Sequence, residues 1–95
     1  MKAEFHISVT VPKVINVDYV LEDLISMFKH ASWSIEHVET GFKIEIGVFH
    51  AIHVGIPVAL SVLNEMFDCN RIIDYSILHG QGYYLFDRQR QLHEY

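Results

Sequence analysis

What is scarce in this chain narrows its chemistry before any motif does. A single cysteine, Cys69, leaves no internal disulfide and no cysteine-based zinc motif. No segment approaches the roughly 18 uninterrupted apolar residues of a membrane helix. The first ten residues, MKAEFHISVT, alternate instead of forming the apolar block of a signal peptide. The sequence therefore reads as a soluble, cytoplasmic protein with no membrane partner. Positive charge is also thin: seven Lys and Arg stand against twelve Asp and Glu, for a net charge of −5. Lys2, Lys13, Lys29 and Lys43 are scattered, and only Arg88 and Arg90 sit close together. An acidic chain without a basic cluster repels a phosphate backbone, so nucleic acid is not an expected partner.

What is present fits one domain. Ninety-five residues are too few for two independent cores. The expected division is a single α+β domain over 1–87 and a polar C-terminal tail, RQRQLHEY, over 88–95. Hydrophobic residues make up 51% and charged residues 20%, on the apolar side of an average domain with about 25% charge. Both departures point to a domain that hides more surface than a solitary monomer, and self-association as a homodimer is the expectation. Seven histidines could carry the net charge from −5 to +2 (−5 + 7) on full protonation. Scattered solvent-facing histidines are the simpler reading of that number.

The period of the apolar residues sets the elements. EFHISVTV, residues 4–11, alternates strictly, with Phe5, Ile7, Val9 and Val11 on one face, and Pro12 closes that strand. From Asn16, a suitable N-cap, Val17, Val20, Leu21, Leu24, Ile25 and Phe28 recur at helical spacing to about His30. Residues 33–49 read as a hairpin, with Trp33 and Ile35 inward on one arm and Phe42, Ile44, Ile46 and Val48 inward on the other. Glu39-Thr40-Gly41 supplies its turn, with Gly41 in the left-handed position. A second helix is predicted from Pro57 to about Cys69, with Ile56, Ala59, Leu60, Leu63, Met66 and Phe67 as its stripe. RIIDYSIL is a β-branched strand, HGQG a turn, and YYLF a short last strand. The order β-α-β-β-α-β resembles the ferredoxin-like split βαβ arrangement. It implies an antiparallel sheet with two helices on one face and an added C-terminal strand, its core formed where Leu24, Phe28, Leu60, Leu63 and Phe67 meet the strands.

The residues that could carry chemistry are few. His50 and His53, in FHAIHVG, fall where a strand gives way to a helix, and with His79 they are the candidate metal ligands. A zinc site needs three or four ligands converging from separate elements, and no metal or other cofactor is the expectation. HISV, residues 6–9, resembles one His-apolar-Ser-apolar motif of the 2H phosphoesterases, which implies His6 and Ser8 as catalytic residues. That family uses two such motifs, and the second candidate, HVET at His37, carries Glu39 in place of the hydroxyl residue. GFKIEIGVF resembles the aromatic motif of RNA-stacking RRM domains through Gly41, Phe42 and Phe49, with Glu45 as a departure. Cys69, near a helix C-terminus, sits where the dipole disfavours a thiolate.

The expected function is therefore a small acidic, non-enzymatic interaction domain that inhibits or regulates a partner protein. The alternative is a small-ligand- or metal-binding regulatory domain built on a histidine cluster. The interface is expected at Tyr83, Tyr84, Leu85 and Phe86, a strand apolar on both sides and placed last in the sheet.

Overall fold

The computed structural model of the chain describes residues 2–28, 30–79, 84–87 and 93–94, with side chains described over 4–28, 30–51 and 54–78. The alternation at the N-terminus becomes β1 (Lys2–Pro12), and Phe5, Ile7, Val9 and Val11 are at most 1% exposed. β1 is flanked on one side by β3 (Gly41–Ala51) and on the other by β4 (Asp74–His79), both antiparallel. With β2 (Ser32–Val38), β5 (Tyr84–Asp87) and β6 (His93–Glu94), the sheet runs β2-β3-β1-β4-β5-β6. Helices α1 (Val17–Met27) and α2 (Ile52–Asp68) complete an α+β fold compatible with the ferredoxin-like βαββαβ pattern and an added C-terminal strand. His93 and Glu94, at the end of the chain, form β6 against Leu85 and Tyr84.

Local chemistry explains the helix ends. Asn16 caps α1, its side-chain oxygen accepting the Asp18 N–H at 3.0 Å. The helix stops at Met27, earlier than the periodicity implies, because Phe28 turns extended and lays its ring edge-on to Phe5, centroids 5.7 Å apart. His30, at φ 61°, then reverses the chain toward β2. α2 begins at Ile52, well before Pro57. Pro57 is the sixth residue of α2, just past the N–H groups that lack an internal partner, so it removes one backbone bond in the second turn. Asn70, at φ 62°, closes α2, with the Arg71 N–H donating to the Met66 carbonyl at 2.9 Å.

The core joins the inner face of the sheet to both helices: Val20, Leu21, Leu24 and Phe28 from α1 and its cap, and Ile56, Ala59, Leu63 and Met66 from α2. Leu60 and Phe67, expected at its centre, are half-buried and pack against its margin. Gly41 has φ +153°, and a Cβ there would collide with the Val11 carbonyl oxygen. That glycine is required by both its backbone and its neighbour.

The coverage is uneven, and it corrects one expectation. By register Trp33 opposes Ile46 and Ile35 opposes Ile44, so both stand on the helix side of the sheet. Yet Trp33 is 53% and Ile35 37% exposed, because the two helices pack over β3, β1 and β4 and leave the outermost strand bare. The residues point inward, but among the described residues no helix packs over them as over β3, β1 and β4.

Candidate functional site

The face of the sheet away from the helices is polar. His6 lies between Gly47 and Leu78, Ser8 between Glu45 and Ser76, and Thr10 between Lys43 and Asp74. Shallow concavities of about 380 and 420 Å³ lie over it, sharing Ser8, Lys43 and Ser76. Its charges answer one another locally: His6 Nε2 is 3.5 Å from Glu4, and Lys43 Nζ is 3.3 Å from Glu45. These are exposed pairs of small energetic weight.

Two family resemblances can be placed against this geometry. His6 is on the open face, whereas His37 opposes Phe42 on the helix side and stacks on its ring, centroids 5.1 Å apart. The two histidines of a 2H arrangement would have to share one face, and here the sheet separates them. Phe42 and Phe49 are likewise on opposite faces, since a strand alternates and they are an odd number of residues apart. Phe49 alone is on the open side, 69% exposed, so no paired aromatic platform forms.

The histidines at the strand–helix junction separate in the same way. His50 ends β3 on the helix side, its ring 5.4 Å from that of Phe28 and its Nδ1 3.2 Å from the Ala51 carbonyl oxygen. Gly55 in the first turns of α2 makes room for it, because a Cβ there would come within 3.2 Å of His50 Nδ1 and 3.0 Å of the Phe5 ring. His50 is thus a packing residue at the end of the core. His53 and His79 have described backbones only, in α2 and β4. Among the described residues no three His, Cys, Asp or Glu side chains gather as metal ligands do. Cys69 is exposed, its Sγ 3.6 Å from the Met66 carbonyl oxygen. It borders a cleft of about 280 Å³ between the helices, beside the Asp23–Arg71 ion pair at 2.5 Å.

Of the residues expected at an interface, Tyr83 lies outside the described residues, while Tyr84, Leu85 and Phe86 form the backbone of β5. The sheet places β4 on one side of that strand and β6 on the other, at Tyr84 and Leu85. Beside β5, His93 and Glu94 pair with Leu85 and Tyr84, while no described strand lies on that side of Phe86 and Asp87.

Among the described residues, β2 has β3 on one side and no strand on the other. Its register with β3 is continuous from Ser32↔Gly47 to Val38↔Gly41, with no bulge. Glu39-Thr40 is a two-residue connection, and such a turn closes on a pair that exchanges both hydrogen bonds. Alternation then directs the backbone groups of Ser32, Ser34, Glu36 and Val38 to β3, and those of Trp33, Ile35 and His37 away from the sheet. Edges are ordinarily blunted by lysine, proline, a bulge or an inward charge. SWSIEHV has no lysine, proline or bulge, and its inward positions are Trp33, Ile35 and the ring-stacked His37. The remaining exposed apolar side chains, Val14, Tyr19, Val54, Val58 and Ile73, lie on helices and loops.

Sequence reasoning missed this site because alternation marks Trp33 and Ile35 as inward without saying whether a helix lies above. The available signal was the topology itself: in β-α-β-β-α-β order the second strand is outermost, and this one carries no gatekeeper residue. No protein-family model, curated protein or solved structure matches the chain.

Proposed function

We propose that this chain is a small acidic, non-enzymatic interaction domain that inhibits or regulates a protein partner by accepting an added strand along β2. The observation that carries the reading is the coincidence, on one strand, of free backbone groups at Trp33, Ile35 and His37 with an uncovered apolar pair, Trp33 and Ile35. Main-chain hydrogen bonds supply affinity in strand addition, and alternate side chains supply selectivity. Tryptophan suits the centre of such a contact, being large, stiff and amphipathic. Cytoplasmic residence is part of the same proposal.

Ile35→Pro tests it. The substitution removes an N–H that points to solvent, so it leaves the β2–β3 ladder intact and blocks strand addition. Immobilised wild-type protein and the variant are exposed to lysate of the native host. Proteins held by the wild type and released by the variant support the reading, and equal retention by both overturns it. Trp33, the only tryptophan, reports the same event: an added strand shields it from acrylamide quenching.

A further inference from the structure

We infer that a second copy of this chain pairs with β2, antiparallel and about a two-fold axis through Ile35. The inference rests on the reading of β2 as a strand-accepting edge and names its occupant. A two-fold pairing uses one patch twice, so the strand must be complementary to itself. Only Trp33, Ile35 and His37 direct backbone groups outward, so the strands can interlock only when these residues face one another. Axes at Ser34, Ile35 or Glu36 set two or more of these residues against the partner's.

The three registers differ in charge and length. An axis at Glu36 sets Glu36 against Glu36 of the partner, and like charges directly opposite are unfavourable. An axis at Ser34 leaves His37 and Val38 beyond the end of the partner's strand. An axis at Ile35 pairs all seven residues of β2. It places Glu36 against the partner's Ser34, a hydroxyl able to donate to the carboxylate, twice by symmetry. Glu36 is also opposite Lys43 within its own sheet, which offsets its charge. On the helix side the same register sets Trp33 against the partner's His37 and Ile35 against its twin, so the bare stripe becomes continuous across both sheets. One strand edge is small against the roughly 1,000 Å² of a firm interface, so the pair is concentration-dependent.

Sedimentation equilibrium on the wild type, Ser34→Lys and Ser34→Glu decides the matter, with Trp33 quenching followed in the same samples. Ser34 is exposed and opposite Glu45 in its own sheet, so urea unfolding of each dilute variant reads the effect of the new charge within one chain apart from its effect on pairing. With the axis at Ile35, Ser34→Lys brings two new opposite-charge pairs with Glu36 and tightens the dimer by about 2- to 30-fold. Ser34→Glu weakens it by a similar factor, and adding Glu36→Ser to that variant restores it. With the axis at Ser34, the lysine meets its own copy and Ser34→Lys weakens the dimer instead, which overturns the register. A wild type that stays monomeric to about millimolar concentration, with Trp33 quenching unchanged, overturns the second copy. The strand-accepting reading then stands or falls on Ile35→Pro capture alone. A dimer indifferent to both Ser34 variants and to Ile35→Pro lies elsewhere and overturns the pairing of two copies at β2, while the strand-accepting reading is again decided by Ile35→Pro capture.

Discussion

β1 and β2 present much the same pattern to the eye, large apolar residues alternating with polar ones, yet only one is buried. In β1, Phe5, Ile7, Val9 and Val11 disappear beneath two helices and between two strands. In β2, Trp33 and Ile35 share that face, joined to β1 through Ile46 and Ile44, and remain in contact with solvent. Alternation states which way a side chain points; position in the sheet decides what it meets. The difference teaches that an edge strand can carry a core-like pattern whose completion comes from outside the chain.

The largest effect expected from this contrast is at its buried end. Ile7→Ala empties a site 1% exposed, and Leu63→Ala truncates a fully buried leucine of α2. Each should lower stability by roughly 2–5 kcal/mol, since the cavity adds to the lost transfer energy. Urea unfolding with an unchanged slope measures it. A loss of less than about half a kcal/mol at Leu63 would mean that α2 presents another face to the sheet.

A smaller effect is expected where β4 is tied to α2. The hydroxyl of Tyr75, a residue 2% exposed, donates to Asn64 Oδ1. Tyr75→Phe keeps the ring and removes this bond, and the expected loss is about 1 kcal/mol, because the half-buried Asn64 can turn to water. The same urea series reads it, and a loss above about 3 kcal/mol would show that the hydroxyl anchors more than one neighbour.

Much of this fold was legible in the residues because its signals are local. The alternation of 4–11, the Asn16 cap and the stripe through Leu63 each have one physical reading, and the structure places them accordingly. The start of α2 was obscured because Pro57 resembles a first-turn proline, whereas the helix begins at Ile52 and carries the proline inside it. The site was less legible still. YYLF and SWSIEHV both look capable of forming an interface, and the choice depends on which edge the rest of the chain covers. His93 and Glu94 bear on that choice by pairing with Leu85 and Tyr84, and a two-residue strand within the polar run DRQRQLHEY has no alternation to announce it.

The smallest expected effect sharpens the comparison most, because it repeats the Ile7 substitution on the bare strand. Ile35→Ala in dilute solution, where copies are apart, should cost about 1 kcal/mol or less, since the side chain is already 37% exposed and no helix sits above it. The result should depend on protein concentration. When a second copy covers Ile35, the residue becomes part of a core, and binding to the folded state adds to the measured stability by mass action. The wild type should therefore gain stability as concentration rises while Ile35→Ala gains less, so the gap between them widens. Ile7→Ala, whose cavity is sealed within one chain, provides the control: it lowers stability at every concentration. If the Ile35 gap is the same in dilute and concentrated solution, no second copy is covering that residue, and β2 meets its partner, if at all, as a single chain.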